Sequence, residues 1–260
     1  LSDAELFDRL FQQRKEADGD LREQAETLSL VYSFSVSDPE VAQNELEVLG
    51  SISEHSKAQL FKATRKLTDR HVVQKRAHWR AILPHAVANR LAGSALESIP
   101  VETLRSTFEA PGNNRLLTSF AHRLGLMHDH PVAKEIVEAW LQRDGLLGRI
   151  SDLDENGSRI LDYIGPVAPN ALLDRIEAEL TSPDFQEMEP KHNPRRTTIL
   201  KLLQSLAYEA HAFDRCMALL IRVADHEDED KNYDAVRDKI FGFFKPYFVD
   251  FRLEVTQAGS

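Results

Sequence analysis

Apolar side chains recur at helical spacing along almost the whole chain. In residues 3–14, Leu6, Phe7, Leu10 and Phe11 share one face, the i, i+3, i+4 pattern of an amphipathic helix. Ser2, with Glu5 three residues on, reads as a capping box for that helix. Residues 20–34 continue the pattern through Leu21, Ala25, Leu28 and Tyr32. They predict one helix, broken by Ser-Val-Ser-Asp-Pro at 35–39. A short helix is expected over 40–50, with Leu46, Val48 and Leu49 on it and its end near Gly50. Residues 56–68 predict a third helix capped by Ser56, with Leu60, Phe61, Thr64 and Leu67 turned inward.

The period then changes. Residues 71–92 read HVVQKRAHWRAILPHAVANRLA. Two short β-type runs, 71–74 and 79–83, flank a polar turn, which is the signal of a hairpin. Pro84 and His85 follow, and residues 86–96 return to amphipathic helix. Helices followed by a hairpin is the order of a winged-helix module.

From residue 101 onward the pattern is again helical. A short helix is expected over 101–110, then a loop at Pro111-Gly112-Asn113-Asn114. Residues 115–126 and 131–143 form a helix pair across the turn MHDH, with Gly145 and Gly148 closing the second helix. Further helices are expected at 158–163, 170–180, 197–208, 213–227 and 233–244, and a linker-like loop at 182–194. There is no tight repeat, but recurring helix pairs suggest an armadillo-like or tetratricopeptide-like stack. The expected fold class is therefore mainly α. A winged-helix domain with preceding lid-like helices occupies residues 1–100, and a helical-repeat sensor or scaffold occupies 101–260.

Composition narrows the function. Among 260 residues, 42 Asp/Glu outnumber 32 Lys/Arg, for a net charge of -10, which disfavours wholesale nucleic-acid binding. Gly and Pro are scarce at 11 each, as suits a helix-rich chain. The single cysteine, Cys216, excludes an internal disulfide framework and fits a reducing cytosol. No apolar run approaches ~18 residues, so no membrane span is expected. The N-terminus lacks a signal-peptide core. The chain opens on Leu1 directly in a helix, as would a piece of a longer polypeptide. A cytoplasmic location follows from these features.

Catalytic motifs are missing. There is no G-x-x-x-x-G-K-S/T, G-x-G-x-x-G or G-x-S-x-G, no cysteine pair for zinc, and no HExxH. No enzyme activity is read from this chain alone. One local inversion of charge stands out. Between residues 56 and 80 lie eight Lys/Arg, Lys62, Arg65, Lys66, Lys75 and Arg76 among them, and one acid, Asp69. These sit on the third helix and the wing, the parts a winged helix applies to DNA. They are candidate phosphate contacts under the alternative reading of a DNA-binding regulator with a helical regulatory domain. The competing reading is a solvated face, or one that docks an acidic neighbouring domain. His122, His128 and His130 crowd one region with Asp129, which reads as a polar helix–helix turn rather than a metal site. His85 stands between a strand and a helix start, beside N–H groups with no helical partner, where phosphate oxygens are readily held. The alternative is a histidine packed beside Trp79 and bonded to a carbonyl.

The run RHVVQKRAHWRAILPHAVANRLAGSALESIP resembles the winged-helix region of bacterial STAND NTPases, the signal-transducing ATPases related to NLR immune receptors. LREQAETLSLVYSF, RLLTSFAHRLGLMHDHPVAKEIVEAWL, PVAPNALLDRIE and LLQSLAYEAHAFDRCMALLIRVADHE are similar to the same group. The resemblance implies an effector domain, a nucleotide-binding domain, a winged helix and a helical-repeat sensor. It also implies that a winged-helix histidine touches the phosphates of bound nucleotide and holds the resting state closed. In plant relatives that histidine lies in a Met-His-Asp motif; here the equivalent position reads Leu83-Pro84-His85-Ala86. The histidine matches and the Met and Asp do not. The literal Met127-His128-Asp129 follows a helix, not a wing strand. By this resemblance ATP or ADP is held mainly by an upstream nucleotide-binding domain of the same polypeptide, since the Walker motifs are absent here. The helical repeats would bind a protein ligand, in bacterial relatives often a phage protein. Activation by oligomerisation would make the active form a homo-oligomer.

Overall fold

The computed structural model describes residues 19–36, 45–182, 194–208 and 211–224. The helices expected over 3–14 and 233–244, and most of the 182–194 loop, lie outside them. The described residues are mainly helical, with one small antiparallel sheet. They fall into two compact units, one within residues 1–140 and 154–168, the other within 141–153 and 169–260. No described helix is long and apolar enough to cross a membrane.

The first unit begins with α1 (Gly19–Ser29), β1 (Phe34–Ser35), α2 (Glu45–Ile52), α3 (Lys57–Asp69), β2 (Val73–Arg76) and β3 (Trp79–Ile82). The expected helix over 20–34 is corrected here: it ends at Ser29, and Phe34 and Ser35 form a strand. Leu30 N–H donates to the Thr27 carbonyl in a closing turn. Beyond it, backbone that would have continued the helix pairs instead with β3, Phe34 opposite Arg80 and Ser35 opposite Trp79. The hairpin strands pair from Val73 opposite Ile82 to Arg76 opposite Trp79, so the strand order is β1-β3-β2.

α3 starts where its cap predicts. Ser56 Oγ accepts from Gln59 N–H and the Gln59 side chain accepts from Ser56 N–H, satisfying two donors at the helix start. Leu60, Ala63, Thr64 and Leu67 face the core. Phe61, expected inside, is instead 43% exposed, because the buried stripe centres on 60, 63, 64 and 67 and leaves 61 on its flank.

The unit continues through α4 (His85–Ser98), α5 (Val101–Phe108), α6 (Asn114–Gly125), α7 (Pro131–Trp140) and α8 (Glu155–Ile164). Phe108 stacks on Phe120 at 4.1 Å and Trp140 meets Phe120 edge-on at 6.1 Å. All three are fully buried, an arrangement favoured by the ring quadrupoles. The second unit holds a 3-10 turn (Ile150–Asp152), α9 (Pro169–Leu180), α10 (Pro194–Leu206) and α11 (Phe213–Ala224). Leu172, Leu173 and Ile176 of α9 and Cys216 and Leu220 of α11 are buried. Arg215 and Arg222 both pair with Glu177 across the α9–α11 seam.

Candidate functional site at the strand–helix junction

β3 ends at Ile82, and after Leu83 and Pro84 helix α4 begins with His85. The intervening Leu83-Pro84 bond is cis. Pro84 stands at the N-cap with no side-chain hydrogen bond to the helix start. Its carbonyl accepts the N–H groups of Val87 and Ala88 at 3.0 and 3.1 Å. His85 and Ala86 are exposed at this uncapped end, which carries the positive end of the helix dipole.

The His85 ring does not pack beside Trp79. It stacks on Tyr32, centroids 5.3 Å apart and planes 18° from parallel. Tyr32 stacks in turn on His122 at 3.7 Å, and His122 on Tyr163 at 4.1 Å with planes parallel. Four rings from four separate segments thus form one column. Hydrogen bonds fix its middle: Tyr32 N–H donates to the Ser119 carbonyl at 2.9 Å, Ser33 N–H donates to Ser119 Oγ, and that hydroxyl donates to the Ser33 carbonyl. Gly125 sets its far end. A Cβ there would collide with the Tyr163 carbonyl oxygen, so only glycine lets α6 come close enough to α8 for His122 to meet Tyr163.

Arg123 lies beside the column, fully buried. Its Nε donates to the Ser29 carbonyl at 3.0 Å, one Nη donates to Asn89 Oδ1 at 2.6 Å, and the guanidinium lies 5.8 Å from the Tyr32 ring centre. Burial pulls its pKa down to about 10. Desolvation first, then the nearby Arg123 and His85, hold His122 below the ordinary histidine value. The junction therefore gathers an exposed imidazole, a second imidazole that resists protonation and a desolvated guanidinium.

The other candidates are dispersed. His122 belongs to α6, not to the turn. His128 is exposed beside Asp129 at 3.4 Å. His130 packs against Gly93 of α4, 3.6 Å from Glu97. Among the described residues no group of three His, Cys, Asp or Glu could hold a metal ion. Trp79 carries the Arg115 guanidinium 4.6 Å over its ring. Lys62, Arg65, Lys66, Lys75 and Arg76 are all exposed. Arg65 and Lys75 line a cavity of about 290 Å3 between α3 and the sheet.

Sequence reasoning missed Tyr32, which stacks on His85, and with it His122 and Tyr163 farther along the column and Arg123 beside it. No local spacing links positions so far apart, and Tyr32 was counted on a helix face. Compared with protein-family models, curated proteins and solved structures, the chain finds no match.

Proposed function

We propose that this chain is the regulatory portion, winged helix plus helical sensor, of a STAND-type ATP-binding signalling protein acting in bacterial antiphage defence. The observation that carries the reading is the placement of His85. It is the first residue of α4, exposed, at an uncapped helix start two residues beyond the end of the second hairpin strand, Leu83 and Pro84 intervening. Such an end binds phosphate through free N–H groups and the helix dipole, and an imidazole there adds a donor. Arg123, buried beside the column, adds positive charge.

The element order helix, strand, helix, helix, strand, strand, with sheet order β1-β3-β2, supports a winged helix with β2 and β3 as its wing. The helix-rich remainder supports a repeat stack that takes a protein ligand. On this reading ATP or ADP is held by an upstream nucleotide-binding domain, His85 reports on its phosphates, and activation proceeds through a homo-oligomer in the cytoplasm. The test is the reading frame that encodes the chain. A G-x-x-x-x-G-K-S/T motif encoded upstream of Leu1 is expected, and a full-length frame without any P-loop would refute the proposal.

A further inference from the structure

The outer face of α3 and the hairpin carries a cluster of exposed cations. Lys57, Lys62, Arg65, Lys66, Lys75 and Arg76 are exposed, and none pairs with a carboxylate among the described residues. Eight of the chain's 32 Lys/Arg lie between residues 56 and 80 with one acid, leaving 24 Lys/Arg against 41 Asp/Glu elsewhere. Mutual repulsion on such a face costs stability, and it is relieved when an anionic partner is bound.

The cavity in this face shows what the partner must bring. It is lined by Phe61, Arg65, Thr68 and Asp69 of α3 and by Lys75 and Arg80 of the hairpin. Its volume, about 290 Å3, lies at the lower limit of small-molecule sites and suits one large side chain. Phe61 gives it an exposed apolar wall. Thr68 spends its hydroxyl proton on the Thr64 carbonyl, so it offers only lone pairs to a partner. Asp69 likewise only accepts when ionised. The groove thus asks for negative charge, an apolar group and N–H donors together. A phosphodiester backbone supplies only the first, and the acidic remainder of the chain repels a long polyanion within the ~10 Å reach of charges at ordinary salt. A peptide supplies all three.

We infer that this groove docks a short acidic protein segment, which places one large apolar side chain beside Phe61 and its carboxylates against Arg65, Lys75 and Arg80. This goes beyond the nucleotide reading and stands without it. The test is fluorescence anisotropy on the 260-residue chain with fluorescein-labelled peptides carrying one Leu, Phe or Trp between Asp/Glu pairs. Comparators are the same peptides with Ala at the apolar position, polyglutamate of equal length, and a labelled DNA duplex. At least one apolar peptide is expected to bind, with the Ala peptide, polyglutamate and the duplex each about tenfold weaker or more. Arg65→Glu and Lys75→Glu, both at exposed positions, are expected to lose about tenfold each, and Phe61→Ser a similar factor, with circular dichroism unchanged. The inference is overturned if no peptide of the series binds, if binding ignores the Arg65 and Lys75 reversals, or if the duplex binds more tightly than every peptide. The last result would assign the face to a nucleic-acid backbone.

Discussion

Glu45→Gln tests what holds the third strand in place. β1 pairs with β3 over only two residues, too few to stand alone in water. Its fixed position comes from side chains. Glu45, 2% exposed at its side chain, accepts Ser35 N–H at 2.6 Å and Arg115 Nη2 at 2.6 Å on one oxygen, and Arg115 Nε on the other. The same Arg115 Nη2 donates to the Ser33 carbonyl at 2.9 Å. Glutamine keeps the volume and one acceptor but removes the charge and sets an NH2 against a donor. Breaking a fully buried ion pair costs about 3–5 kcal/mol. Because Arg115 is 32% exposed and water can take up part of the loss, about 2–3 kcal/mol is expected. Trp79 and Trp140 are the chain's two tryptophans and both lie in the first unit. Their fluorescence in a urea titration therefore reports on that unit. With a slope of about 2–3 kcal/mol per molar, the midpoint should fall by about 1 M. Arg115→Met should cost a similar amount, and the double variant should reveal a coupling of about 1.5–2 kcal/mol. A coupling below about 0.5 kcal/mol would refute the reasoning and leave β1 held by the sheet alone.

Further outcomes follow from the same structure. His122 has a folded pKa below its ordinary 6.5, so the unfolded chain binds more protons between the two values. Stability of the first unit should then fall as pH drops below about 6.5 through the folded pKa. His122→Phe, which keeps a ring in the column, should flatten that loss in urea titrations between about pH 5 and 7.5. Ala77 sits at the hairpin turn with φ 53, a conformation that costs an L side chain energy. Ala77→Gly should therefore raise the same urea midpoint, by about 0.5 kcal/mol or more of stability. Cys216 is buried in the second unit and its thiol is pushed up to about 11. Its reaction with a thiol-disulfide reagent should be negligible in the native protein and complete once that unit unfolds, which gives each unit its own probe.

The hairpin and α3 were legible because the hydrophobic period changes there and because Ser56 reads as a cap. β1 was not legible. Its two residues end a run whose helical spacing carries straight through Tyr32, and only long-range partners, Arg80, Trp79 and Glu45, pull it into the sheet. Phe61 misled for a related reason: the buried stripe runs through Leu60, Ala63, Thr64 and Leu67, and position 61 falls on its flank. His85 was found from its local setting, a strand followed by Pro and a helix start. Its column was not, because Tyr32, His122 and Tyr163 meet it only in three dimensions. The groove on the basic face was half legible. The charges cluster in sequence, whereas the cavity depends on how α3 packs against the sheet.

The most direct test of the proposed function is nucleotide retention in the full-length polypeptide carrying His85→Ala. ADP and ATP released on denaturing the purified protein are quantified against the unmodified protein, alongside resting-state signalling. His85→Phe serves as the control that keeps a ring on Tyr32 but no hydrogen-bond donor. The expected result is reduced nucleotide retention or activation without ligand in both variants. Unchanged retention and an unchanged resting state in His85→Ala would contradict the proposal and leave His85 as a packing partner of Tyr32.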